Sequence, residues 1–134
     1  MTAAHAAPAA RPARPTGTMV AAGLAMTVPF AVTVLMMLTE APFPNSVAGS
    51  HALVAAQHLV ALLGAVVLFA VGRRVGSPVR RHGLTAVIVA VVLIGAQVSV
   101  QVADPNIGGG LLWFVAALVL AVLGAIAVVR SRRA

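Results

Sequence analysis

The sequence predicts an all-α integral membrane protein: an antiparallel up-down bundle of four transmembrane helices, with both termini in the cytoplasm. Three observations predict it. Apolar residues make up 61% of the 134-residue chain and charged residues 8%, with a mean hydropathy of +1.07. A soluble domain carries about 25% charged residues. The apolar residues fall into four runs of about 20, and at 1.5 Å per residue each run crosses a hydrocarbon core of about 30 Å. Finally, every arginine lies on one side of those runs: Arg11 and Arg14 before the first, Arg73, Arg74, Arg80 and Arg81 between the second and third, and Arg130, Arg132 and Arg133 after the fourth. The two acids, Glu40 and Asp104, lie on the other side. Short arginine-rich loops stay in the cytoplasm during insertion, so the pattern sets orientation as well as class.

Residues 1–18 are rich in Ala and Pro and read as a disordered cytoplasmic tail. The first span is 19–38. Pro29 near its middle frees the carbonyl of Ala25, which the hydroxyls of Thr27 and Thr33 are placed to satisfy. The span is too long for a secretory signal, and the small-residue site Ser46-Val47-Ala48 lies too far beyond it, so it is expected to stay as an anchor. Pro42 and Pro44 mark an outer loop, and Ser50 is the expected N-cap of the second span, 52–71. Residues 72–83 read as an inner turn lying on the headgroups. The third span is 84–103, ended by Asp104-Pro105-Asn106, and three glycines lead into the fourth, 111–129, with Trp113 near its outer interface. Residues 130–134 form a basic cytoplasmic tail.

The spans carry small residues at four-residue spacing. Gly95, Ser99 and Ala103 recur on the third, and Ala117, Ala121 and Ala125, with Gly124 beside them, on the fourth. In lipid, close approach through such stripes drives helix association, within a chain or between chains.

Depth sorts the polar residues. Gln57 and His58 lie about 8–9 Å below the outer end of the second span, with Gln97 at about 9 Å and Gln101 at about 3 Å on the third. His51 and His58 share a helix face, as do Gln97 and Gln101. The outer half therefore holds the candidate polar site of His51, Gln57, His58, Gln97 and Gln101, with Glu40 and Asp104 at its rim. Polar groups in hydrocarbon face the bundle interior, where they bind something or join helices by hydrogen bonds.

The composition narrows the chemistry. A net charge of +7 suggests nucleic acid in a soluble protein, but these arginines flank spans with no interleaved aromatics, so anionic headgroups are the expected partner and nucleic acid is not. With no cysteine there are no disulfides or thiolate sites. Without lysine or tyrosine, and with two carboxylates on separate loops, the chain lacks the inventory of an enzyme. No carboxylate lies inside a span, which leaves His58 as the candidate proton carrier, since imidazoles in general titrate near neutrality. His51 and His58 lie about 10 Å apart along one helix and cannot share a haem iron, so a haem would need His58 from each of two copies, or a histidine with Met36 or Met37. No cofactor or metal is expected.

The function that follows is a non-enzymatic accessory or scaffold subunit, packing against itself as a homo-oligomer or against a larger membrane complex. The alternatives are a small-molecule or proton-linked binding or transport site in the outer half, and a haem-binding redox subunit at a dimer interface. Arginine in place of lysine, with abundant Ala, Val, Gly and Pro, points to a GC-rich bacterium and its plasma membrane.

Overall fold

The computed structural model describes residues 15–39, 47–102 and 107–133. They form four helices: α1 (Thr16–Leu38), α2 (Val47–Val75), α3 (Ser77–Val102) and α4 (Ile107–Arg132). All four are long and apolar enough to span a membrane, and together they fit a small multi-pass membrane protein. Residues 1–14 of the tail expected at 1–18, the rim residues Glu40 and Asp104, and the packing candidate Ala103 lie outside the described residues, and residues 16–18 of that tail form the start of α1.

The helices exceed the spans read from hydropathy. At 29 residues, α2 is about 43 Å long, more than the hydrocarbon core needs. It begins at Val47, so Ser50 lies inside the helix and is not its cap. The largest difference falls at residues 72–83. They form no extended turn: α2 runs to Val75, α3 starts at Ser77, and Gly76 alone joins them. Gly76 has φ of 143°, a region that favours glycine, and its N–H bonds the carbonyl of Gly72 at 3.1 Å. Pro78 occupies the first turn of α3, where its missing N–H leaves no bond unmade. A hydropathy reading ends a span at the first arginine, but an arginine-bearing helix can continue into the headgroup layer.

The helices close into a ring. α2 packs on α1 and α3, α4 packs on α1 and α3, and the diagonal pairs scarcely approach along their backbones. Each helix sends one large, fully buried side chain into the centre: Met26, Leu68, Leu93 and Leu120. Around them the core is largely alanine, including Ala61, Ala65, Ala86, Ala90, Ala116 and Ala127. The outward faces are Leu, Val and Ile on all four helices. A helix apolar all round belongs in a membrane or a large core, and a bundle of four is too thin for the second.

Glycine sets the closest crossings. A Cβ on Gly83 would lie 2.5 Å from the backbone of Phe69, and one on Gly72 would lie 2.5 Å from the backbone of Arg80. A Cβ on Gly64 would lie 2.7 Å from the carbonyl oxygen of Ala22, and one on Gly23 would lie 2.6 Å from that of Gly124. Beside that last contact, the Thr27 hydroxyl lies 3.1 Å from the Ala121 carbonyl across the helix pair and 3.0 Å from its own Gly23 carbonyl. In lipid, such backbone approach replaces the hydrophobic drive that a soluble core uses.

Candidate functional site

The site is built where the Thr33 end of α1, the His51–His58 end of α2, the Gln97–Gln101 end of α3 and the Trp113 end of α4 come together. Pro29 sits inside α1 without ending it. The Thr33 hydroxyl turns back to the Pro29 carbonyl at 3.1 Å, and it accepts a hydrogen bond from Gln57 Nε2 at 2.9 Å, tying α1 to α2. Neither Thr27 nor Thr33 reaches the carbonyl of Ala25, the one that Pro29 frees.

One helical position further on, His58 is buried. Its Nδ1 lies 2.6 Å from the carbonyl of Val54, and Trp113 Nε1 donates to its Nε2 at 3.0 Å. An indole N–H can only donate, so Nε2 must be the unprotonated nitrogen, and Nδ1 carries the proton that bonds Val54. The contacts therefore assign one neutral tautomer. Phe30 completes the cluster, edge-on to both rings at centroid distances of 6.4 Å. Three helices meet in this aromatic knot, and the Trp113–His58 bond crosses the bundle diagonal from α4 to α2. With both nitrogens engaged, His58 offers no lone pair to a haem iron shared between copies. Among the described residues, no group of three His, Asp or Glu side chains could hold a metal.

Three cavities surround the knot. The first, about 340 Å³, lies between α2 and α3, and His51, Val54, His58, Gln97 and Gln101 are among its lining residues. Leu59 and Val98 also line it and are strongly exposed, so it opens sideways, toward the surroundings of the bundle. The second, about 260 Å³, lies on the axis, with walls from all four helices: Thr33, Gln57, Gln97 and Trp113 among them. The third, about 470 Å³, is an apolar groove between α1 and α4 floored by Phe30, Trp113 and Phe114.

All five candidate polar residues thus line a cavity at one end of the molecule, and they divide into two groups. Gln57 and His58 are joined to other helices. Gln97, half-buried, and Gln101 and His51, both exposed, make no side-chain hydrogen bond to any of the described residues. Gln97 is common to the lateral and the axial cavity.

The small-residue candidates divide too. Ala117 and Gly124 are buried and Ala121 is half-buried, within the bundle near α1. Gly95, Ser99 and Ala125 are exposed, and a Cβ on Gly95 would meet nothing within 4 Å.

Sequence reasoning missed four features. Phe30 looked like an ordinary span residue, and Thr33 was read as a partner for the carbonyl that Pro29 frees, not as a bridge to Gln57. Trp113 was placed at the interface by its position near a span end; it is half-buried and reaches the axis. His82 bonds the carbonyl of Leu123 at 2.8 Å, joining α3 to α4 near the arginine end. A tryptophan, the only one in the chain, in a helix start facing buried histidine was the available signal for the knot, but its use required helix rotations that a sequence does not give. No protein-family profile, curated protein or solved structure matches the chain.

Proposed function

We propose that this chain is a non-enzymatic membrane protein that binds a small molecule at the polar end of an antiparallel up-down bundle. Its arginine end and termini face the cytoplasm of a bacterium, against anionic headgroups, and the site faces outward. The observation that carries the reading is Gln97: a half-buried carboxamide that makes no side-chain hydrogen bond to any of the described residues and is shared by two cavities. An unpaired amide in hydrocarbon is costly, and such residues mark sites. The contact register supports the antiparallel arrangement: Gly64 lies against Ala22 while Gln57 lies against Thr33, and Gly72 lies against Arg80 while Phe69 lies against Gly83. The arginine segregation supports the orientation.

Single cysteines test the topology directly, because the chain has none of its own. Ser77→Cys should be labelled by an impermeant maleimide only from the cytoplasmic side, and Gly110→Cys only from the outside. Labelling of both from one side removes the up-down arrangement. For the site, ligand screening by thermal shift in mild detergent should find stabilisers lost in Gln97→Leu and kept in Gly95→Leu; stabilisers indifferent to both would remove the site reading.

One observation favours the accessory-subunit reading instead. Gly95 leaves a notch on the outward face of α3 that nothing in the bundle fills. If that notch holds a second copy or another subunit, Gly95→Leu lowers the recovered complex while Gln97→Leu leaves it intact.

A further inference from the structure

Resting on the reading of the polar end as a binding site, we infer that its ligand is a neutral, lipid-soluble ring compound with carbonyl oxygens on opposite edges, the chemistry of a quinone. The lateral cavity carries the inference. Its lining has two carboxamides and two imidazoles as polar groups, and the other five residues are aliphatic: Val54, Ala55, Leu59, Ile94 and Val98. Among the described residues no carboxylate or guanidinium lines it, so a charged ligand would be desolvated there without a fixed counter-charge from them. A sugar-like ligand would leave most of its hydroxyls against aliphatic walls. A bare acyl chain would leave the amides unpaired.

The remaining hydrogen-bonding capacity is specific. His58 is closed, because Trp113 holds Nε2 and Val54 accepts from Nδ1. Gln97, Gln101 and His51 therefore supply the open polar groups, and the two carboxamides stand one helical turn apart on the same wall, with Cβ atoms about 6 Å from each other. A flat ring with an acceptor at each edge spans such a pair and presents apolar faces to Leu59 and Ile94. The sideways mouth suits a molecule that arrives from the bilayer with its tail remaining among the acyl chains. The volume of about 340 Å³ takes a ring head and excludes a whole lipid. The step is binding alone; no electron or proton transfer is assigned to it.

The single tryptophan makes the test direct. It lines the axial cavity, as Gln97 does, and is bonded to the His58 ring that lines the lateral one. Quinones quench indole emission on close approach. The full-length protein in vesicles of neutral phosphatidylcholine is titrated with a short-chain benzoquinone and Trp113 emission is followed. A saturable quench is expected, roughly tenfold weaker in affinity in Gln97→Leu and in Gln101→Leu, as for the loss of one hydrogen bond, and unchanged in Gly95→Leu. A long-chain alkylammonium and a fatty acid should give no saturable change. Linear quenching identical in all four proteins overturns the inference, since it reports partition into lipid. If a monoacylglycerol gives a saturable, Gln97-dependent emission change and the quinone does not, the ring-carbonyl class falls while the binding reading stands. If no neutral probe gives a Gln97-dependent change, both fall.

Discussion

The two ends of the bundle are assembled by different physics. Toward the arginine end three of the four neighbouring helix pairs meet backbone to backbone, and the His82–Leu123 bond joins the fourth, α3 to α4. Gly72 and Gly83 bring α2 and α3 together on either side of the one-residue Gly76 connection, and Gly23 and Gly124 do the same for α1 and α4. At the opposite end the helices meet through side chains, by the Thr33–Gln57 pair and the Phe30–His58–Trp113 knot, and three cavities open between them. Glycine contacts admit one geometry. Side-chain bridges hold helices apart at a distance that leaves room for something else. A four-helix bundle can therefore be held firmly at one end and keep space at the other, and the space is where the polar groups are.

Substitutions at the glycine crossings should break that contrast most severely. Gly83→Leu forces apart two backbones that touch, for a loss of about 3 kcal/mol or more, read as a collapse of monodisperse yield and of Tm in mild detergent. Gly95→Leu, with nothing to meet, should leave both measurements unchanged in the isolated protein. Trp113→Phe comes next. It keeps the ring contacts and strands His58 Nε2, which should lower stability by about 1–2 kcal/mol in reversible unfolding. Matching losses in His58→Ala and in the double variant would show that the two side chains act as one unit. Thr33→Val removes the α1–α2 hydrogen bond and should cost about 0.6 kcal/mol by the same assay, the average for such bonds in a bilayer.

Much of the architecture was legible in the residues, for identifiable reasons. Four apolar runs and segregated charges predict four spans, because length and hydropathy suffice for that. The shared faces of His51 with His58 and of Gln97 with Gln101 follow from helical periodicity alone, and both pairs line the lateral cavity. Helix ends were not legible at residues 72–83, since arginines end a hydropathy window without ending a helix. Nor did spacing distinguish the stripe containing Ala117 and Gly124, much of which packs inside the bundle, from Gly95 and Ser99, which face out. Both have the same period; only the rotation of each helix about its axis separates them. The Trp113–His58 bond depends on two such rotations and on a side chain that crosses the axis.

The same distinction decides what Gln97 is. As a helix-joining amide it would resemble Gln57; as part of a site it should contribute nothing to the bundle. Reversible unfolding of Gln97→Leu, in a bilayer mimic without added ligand, measures this directly. Stability equal to or above that of the unsubstituted protein is the predicted result, because no hydrogen bond within the described residues is lost and an unpaired amide is removed. A loss as large as that of Thr33→Val would contradict it and make Gln97 one more bridge between helices.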